Sequence, residues 1–472
     1  MKKFIHTIFI GTAFGTFSSC TDSILDQKPL SALTQSSFFQ TAADAEAAVL
    51  ACYDALQGDE VRRIAWGDAR ADNLKIPLEA IGATDPDMLE FQKDNISSSS
   101  GNGNWAKFYN GINKVNNVLA QVPTIQSPTI TSVKNRIMGE GYFLRAFHYF
   151  NLVRIWGAVP LIVEPTLSLD KDLQPSRTPA DKVLEQVVTD LKQAETLLPV
   201  AYASNIETRG RATRGAAQAL LCKVYLWRSS YLQTNEWQLA SDYADKVLAN
   251  TTYALVSGAN YGSIFTAKNT TESIFELQYN YNNQETNALA SYFLPRSSKV
   301  QTGGNQTLIP TPKLIEAFEA GDLRKAASIF YSNPTTDQFP NLPTVGKYTG
   351  TIVGSARFSD SNFIFLRLAD VILMQAEALA QVGKTAEAAA LINRIRNRAG
   401  LSNTTATSKN DLLSAIEQER FIELCFEGHR WYDLLRTGRV KAVLGVDKKA
   451  FMPVFYTEIM LNPNLLPQNP GY

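Results

Sequence analysis

Histidine and cysteine are scarce in this sequence, three and four among 472 residues. No C-x-x-C pair and no His–Cys spacing marks a metal site, so neither a metal nor any other cofactor is expected. The chain has no phosphate-cradling glycine loop, no G-x-S-x-G and no H-E-x-x-H, so no catalytic motif is present. Charge of one sign is also missing. Lys and Arg total 45 and Asp and Glu total 45, which removes the electrostatic case for nucleic acid. Beyond the N-terminus no apolar run is long enough to cross a bilayer. What is left is an ordinary globular balance, 45% hydrophobic and 19% charged, long enough for a large core.

The N-terminus has its own logic. Met1-Lys2-Lys3 followed by the apolar stretch Phe4 to Phe17 reads as a secretory signal over residues 1–19. Phe17-Ser18-Ser19-Cys20 ends it and resembles a bacterial lipoprotein processing site, which would leave Cys20 acylated. Several acyl chains on one cysteine give durable anchoring where a single chain does not. Residues 20–39 are polar and carry Pro29, as suits a tether. Cys52, Cys222 and Cys425 then remain. Each falls in a helical apolar pattern, where cysteine acts as a small buried hydrophobe, and no structural disulfide is expected.

From residue 40 onward the pattern is mainly helical. Residues 41–56 are rich in alanine at helical spacing. Trp105, Phe108, Ile112, Val115 and Leu119 line one side of a second helix. Another runs from Ile137 to Trp156 and stops at Gly157 and Pro160. His148 within it is expected to pack in the core. Further helices begin at Thr178-Pro179 and at Ala212-Thr213. The segment 376–389 places Gly383 between two alanine-rich helices, a tetratricopeptide-like hairpin. Two stretches differ. Residues 57–103 lose periodicity and read as a long surface excursion, and residues 250–362 are dense in Gly, Asn, Thr and Pro around a strand at Ile274–Tyr279.

The most chemically suggestive stretch lies near the C-terminus. Ser408 and Asp411 have the spacing of a capping box. Leu412, Ile416, Arg420 and Leu424 then share a stripe, with Phe421, Ile422, Cys425 and Phe426 around the other sides. A helix apolar nearly all round is buried, so its charges must be paired inside the protein. Glu419, Glu423 and Glu427 recur every four residues, and Arg420, Arg430 and Arg436 are their expected partners. Such a group could be catalytic, or it could be an ion-pair network locking two helices together.

The pattern E-R-x-x-E-L-x-F-E-G-x-R-x-x-D-L, from Glu419 to Leu434, resembles the C-terminal signature of the SusD/RagB family of outer-membrane lipoproteins. Other blocks resemble the family in the same order: R-A-x-x-Y-F-x-L-V from Arg145 with G-x-V-P-L from Gly157, the stretch from Ala212, Asp322 and Arg324 two apart, Met452-Pro453, and the closing Gln468-Asn469-Pro470-Gly471-Tyr472. The resemblance implies a SusD-like α-helical fold with tetratricopeptide-like helix pairs and loop-rich insertions containing a few short strands. It implies one domain over 40–472, with an N-terminal part of about 40–250, an insertion of about 250–362 and a C-terminal helical part of about 363–472. It makes the Glu–Arg cluster architectural. It also implies a non-enzymatic lipoprotein of the cell outer membrane that captures a nutrient, most simply an oligosaccharide, and delivers it to a SusC-like TonB-dependent transporter.

A saccharide offers a flat C–H face to an aromatic ring and hydroxyls to polar side chains. By position and chemistry the candidate ligand-binding residues are Trp66, Asp68, Asp72, Asn73, Tyr279, Tyr281 and Tyr292. Two rival readings stand beside this one. A glycoside hydrolase needs two carboxylates at a fixed separation, for which Asp68 and Asp72 are the available pair. A helical-repeat scaffold would bind protein and no soluble ligand.

Overall fold

The architecture is that of a computed structural model, and it describes residues 38–77, 85–166, 173–296 and 304–472. The expected signal segment and Cys20 lie outside the described residues. The longer helices are α1 (Ala42–Asp54), α2 (Ala106–Gln121), α3 (Lys134–Trp156), α4 (Ala180–Leu197), α5 (Arg214–Tyr231), α6 (Trp237–Leu248), α7 (Leu368–Gln381), α8 (Thr385–Arg398), α9 (Lys409–Glu423) and α10 (Arg430–Arg436). Each of α2 to α8 packs on the next, so the array runs unbroken across the loop-rich insertion that separates α6 from α7. Among the described residues no helix is long and apolar enough to cross a membrane.

The caps follow from local chemistry. Thr41, Thr213 and Ser408 each accept a backbone N–H three residues on, satisfying a donor that the first turn leaves orphaned. Between α7 and α8 the chain turns at Gly383 with φ +86°, a conformation that favours glycine. Tight helix crossings need small residues. Ala376, Ala378 and Ala380 of α7 are fully buried, as are Ala216, Ala217 and Ala219 of α5.

The described strands are short and antiparallel. β1 (Leu74–Lys75) pairs with β3 (Ile309–Pro310), β2 (Ser273–Leu277) with β8 (Phe363–Arg367), β4 (Ile329–Tyr331) with β5 (Pro343–Val345), and β6 (Thr351–Val353) with β7 (Ala356–Phe358). β2 and β8 are buried along their whole length and carry the insertion back onto the helices. The strand expected at 274–279 is therefore present, ending at Leu277.

Residues 57–103 correct the sequence reading. Instead of a surface excursion, this stretch holds a short helix Glu60–Ile64, a π turn Ala65–Ala69 and a helix Pro86–Lys93, and much of it is core. Trp66 packs against Phe108 and Trp156, with ring centroids 5.9 and 5.6 Å away, and Trp105 joins the same cluster 5.8 Å from Trp156. Periodicity fails as a guide here because the turns are tight and every face is covered. His148 is buried against Phe108 as expected, and burial together with nearby Arg63 pushes its pKa down to about 3. Cys52, Cys222 and Cys425 are buried free thiols.

Candidate functional site

The Glu–Arg cluster resolves into two networks with partners other than those expected. Capped at Ser408, α9 carries Glu419 and Glu423 into the interior, and the turn after it adds Glu427. Glu419 pairs with Arg324 and Arg396, Glu423 with Arg324, Arg367 and Arg398, and Glu427 with Arg367 and Lys347. None of these arginines lies on α9 or α10. Arg420 instead meets Asp370 of α7 at 2.8 Å and Asp433 of α10 at 2.9 Å, and Arg436 meets Glu377 and Asp433. Burial works against every one of these charges. The surrounding cations nevertheless hold Glu423 well below the usual carboxylate range. Each carboxylate of the cluster is met by at least one cation. The cluster is a lock between the insertion, the helical array and the C-terminal helices.

Three residues expected to contact ligand, Trp66, Asp68 and Asn73, belong to the interior, which corrects that expectation, and the fourth, Asp72, is half-buried in an ion pair. Trp66 is 1% exposed and donates its indole N–H to the Asn102 carbonyl. Asp68, fully buried, accepts from Asn73 Nδ2 at 2.7 Å and from the Gly428 N–H at 2.6 Å. Burial raises its pKa to about 6 against those hydrogen bonds. Asn73 is itself fully buried. Asp72 pairs with Arg430 at 2.7 Å and Lys313 at 2.8 Å; burial would raise its pKa, but the bonds and charge of Arg430 and Lys313 outweigh it. Asp68 and Asp72 thus tie the π turn to the start of α10. Asp68 is fully buried and Asp72 is held between Arg430 and Lys313, so both carboxylates are engaged in joining chain segments. Gly67 shows how close the join is, since a Cβ there would sit 2.3 Å from the Gly428 carbonyl oxygen.

The three tyrosines stand at the loop-rich face. Tyr281, half-buried, stacks on Phe358 of β7 with centroids 5.1 Å apart and planes 27° from parallel. Tyr292, also half-buried, donates its hydroxyl to Asp85. Tyr279 is buried, and its hydroxyl donates to Glu60 and accepts the Gly58 N–H. The loop between them is pinned to the strand side, because the Asn287 N–H donates to the Ser359 carbonyl and the Ala290 N–H to the Ser359 hydroxyl. Beside this loop an open depression of ≈ 690 Å³ is lined by Gln57, Gly58, Lys107, Asn110, Tyr279 and Thr286, among others. It has ring edge, amide and ammonium groups, a mixture suited to a hydroxyl-rich ligand. Phe358, Lys107 and Asn110 were missed by sequence reasoning. A turn signal at Gly354-Ser355 with Phe358 beyond it marks a hairpin, but nothing in it shows that the ring meets Tyr281. Among the described residues no group of three or more His, Cys, Asp or Glu could hold a metal ion.

With the geometry in hand, comparison with known proteins defines the class. Residues 331–451 match the model of the SusD family, and residues 69–226 match one described as "Starch-binding associating with outer membrane". A SusD-like protein of Formosa agariphila, P38, is 28% identical over 98% of this chain and 99% of its own length. A solved structure described as a laminarin binding SusD-like protein superposes with TM-score 0.77 and 27% identity over 92% of this chain and all of that one. Bacteroides fragilis NanU superposes with TM-score 0.78 and 25% identity over 94% of this chain and 99% of its own. The chain is similar to SusD-like proteins over nearly its whole length and has their mainly helical fold.

Proposed function

We propose that this protein is a glycan-binding lipoprotein of the outer membrane that captures an oligosaccharide at its loop-rich face and passes it, without turnover, to a SusC-like TonB-dependent transporter. The observation that carries the reading is the match of residues 69–226 to a model described as starch-binding and outer-membrane-associated. It is joined to a fold that follows a laminarin-binding SusD-like protein over 92% of this chain. On that basis the Tyr281–Phe358 pair is the platform for the flat face of a sugar ring. Asn282 and Asn283 beside it, and the depression bordered by Tyr279, offer hydrogen-bonding groups to the hydroxyls. Tyr292 is the third contact, reached once its hydroxyl exchanges Asp85 for a sugar oxygen. Retention in a closed state with the transporter requires contacts that the open state lacks, since a ligand shifts an equilibrium only by its differential affinity. Cys20 supplies the anchor.

Isothermal calorimetry of the mature chain against β-glucan, α-glucan and other oligosaccharides, with a peptide series alongside, tests the reading. Wild type is expected to bind one glycan class, and Tyr281→Ala to lose about 1–2 kcal/mol of that affinity while remaining folded, the usual worth of an aromatic contact. Tight association with a transporter but no heat from any glycan would establish the scaffold instead. Equal affinity of wild type and Tyr281→Ala would move the site off this platform.

A further inference from the structure

A second cavity, of ≈ 40 Å³ and partly open, lies where the short helix Glu60–Ile64 meets α3, α5, β8 and the turn after Glu427, with Arg63 buried and Arg154 and Lys223 half-buried. Its walls include Arg63, Phe147, Arg154, Lys223, Phe365 and His429. A water needs about 10–15 Å³ of such space, so the cavity has room for a small ion or a few waters.

The charges around it do not balance. Arg63 is 8% exposed, and its guanidinium has no hydrogen-bond or ion-pair partner among the described residues; its Nε is fully buried and unpaired. It rests only on aromatic faces, 4.9 Å from Phe365 and 5.7 Å from both Phe108 and Phe147. The nearby carboxylates Asp59 and Glu60 attract Arg63 only at a distance, without an ion-pair contact. Glu60 receives Gly58 and Tyr279, and Asp59 faces Arg62 and Lys107. Arg154 bonds only to the amide oxygen of Asn151, and its Nε is also buried without a partner. Lys223 is matched by Asp370, which also serves Arg420. Glu427, the one carboxylate in the cavity wall, is taken up by Arg367 and Lys347. His429 is neutral, since burial and then Lys223 push its pKa down to about 3. Two guanidiniums therefore border one cavity with no carboxylate in direct ion-pair contact with either among the described residues. Burying a charge without an ion-pair partner costs several kcal/mol, of which cation–π contact returns part, about 0.5–1 kcal/mol at an exposed ring and about 2 at a desolvated one.

We propose that this cavity is an anion site, holding one small monovalent inorganic anion, chloride in the cell envelope, between Arg63 and Arg154 with Lys223 at its side. The ion completes the charge balance where the helix before the ligand depression joins the lock, so it fixes that helix from behind. It is independent of the glycan reading. Guanidinium and ammonium groups backed by aromatic rings suit a weakly hydrated halide better than a divalent oxyanion, for which the space is too small.

The test is a halide substitution. Crystals of wild type grown or soaked in sodium bromide are expected to show an anomalous bromine peak inside the cavity. Thermal unfolding at matched ionic strength is expected to give a melting temperature about 1–3 °C higher in sodium chloride than in sodium gluconate. Arg63→Met should abolish that difference, and Arg63→Lys should keep part of it. A cavity holding only water, shown by no bromine peak and equal melting in both salts, would overturn the proposal. So would a chloride effect of unchanged size in Arg63→Met. The anomalous experiment on wild type stands even where a variant fails to fold.

Discussion

Replacing Arg367 with methionine tests the lock at its centre. Arg367, 1% exposed, makes five hydrogen bonds: to Glu272, to the Glu423 carboxylate and carbonyl, and two to Glu427, all between 2.6 and 2.9 Å. Around it five cations (Arg324, Lys347, Arg367, Arg396 and Arg398) face five buried carboxylates (Glu272, Asp322, Glu419, Glu423 and Glu427), and the exposed Glu319 also pairs with Arg396. Methionine fills most of the volume but leaves four cations against the five buried carboxylates. Breaking a buried pair from one side costs about 3–5 kcal/mol, chiefly through the charge left behind. Because Glu423 keeps Arg324 and Arg398, and Glu427 keeps Lys347, the loss should fall near the low end, about 3 kcal/mol, against a total of about 5–15 kcal/mol for a folded protein. The sign of the pH dependence is fixed too. In wild type the cations overcome burial and hold Glu423 and Glu427 below the usual range, so their contribution is present above the unfolded carboxylate pKa and fades as pH falls through the depressed folded values. Without Arg367 burial raises those carboxylates, so protonation relieves the variant before it harms wild type. Urea unfolding followed by far-ultraviolet circular dichroism at pH 7 and at pH 4.5 should therefore show a deficit that shrinks on acidification. A deficit under about 1 kcal/mol, or one that is equal at both pH values, would refute the reasoning.

Other perturbations separate architecture from ligand contact. Trp66→Ala should cost about 3–5 kcal/mol by opening a cavity in the Trp66–Phe108–Trp156 cluster, with glycan affinity unchanged in the folded fraction; loss of affinity at normal melting temperature would return Trp66 to the ligand site. For Asp68, with a folded pKa raised to about 6 from 3.8, the ionised form is disfavoured by about 3 kcal/mol and stability falls as pH rises between those values. Asp68→Asn should flatten that part of a melting-temperature profile, and an unaltered slope from pH 4 to 6 would show another group to be responsible. Cys20→Ala should release the protein from membranes in cells lacking the transporter partner, and continued retention there would sink lipidation.

The lock was legible as a lock, but its wiring was not. A capping box at Ser408 and glutamates every fourth residue show that a charged face is buried, since the remaining faces of α9 are apolar. Which arginine meets which glutamate depends on chain contacts 50 to 100 residues apart, as between Arg367 and Glu427 or Arg324 and Glu423. Sequence offered Arg420 and Arg436 because they are near in the chain, and the fold used Arg324, Arg367 and Arg398. The same limit explains the candidate site. Trp66, Asp68, Asp72 and Asn73 have the chemistry of a sugar site, yet a polar run without periodicity looks identical whether it lies on the surface or threads the core. Asp68 is spent on backbone N–H groups of a turn 360 residues away, a contact no local pattern encodes. Tyr281 and Tyr292 are half-exposed, as a turn rich in asparagine beside a strand leads one to expect, whereas Tyr279 just after the strand is buried. Phe358, the partner of Tyr281, comes from a hairpin more than 70 residues on, so the platform exists only in three dimensions. In this protein the long-range ion pairs are thus what would make the proposed ligand face possible. They tie β8, α8 and Glu272 just before β2 to α9 and the turn after it, and the loops that carry Tyr281 and Tyr292 run between these fixed points.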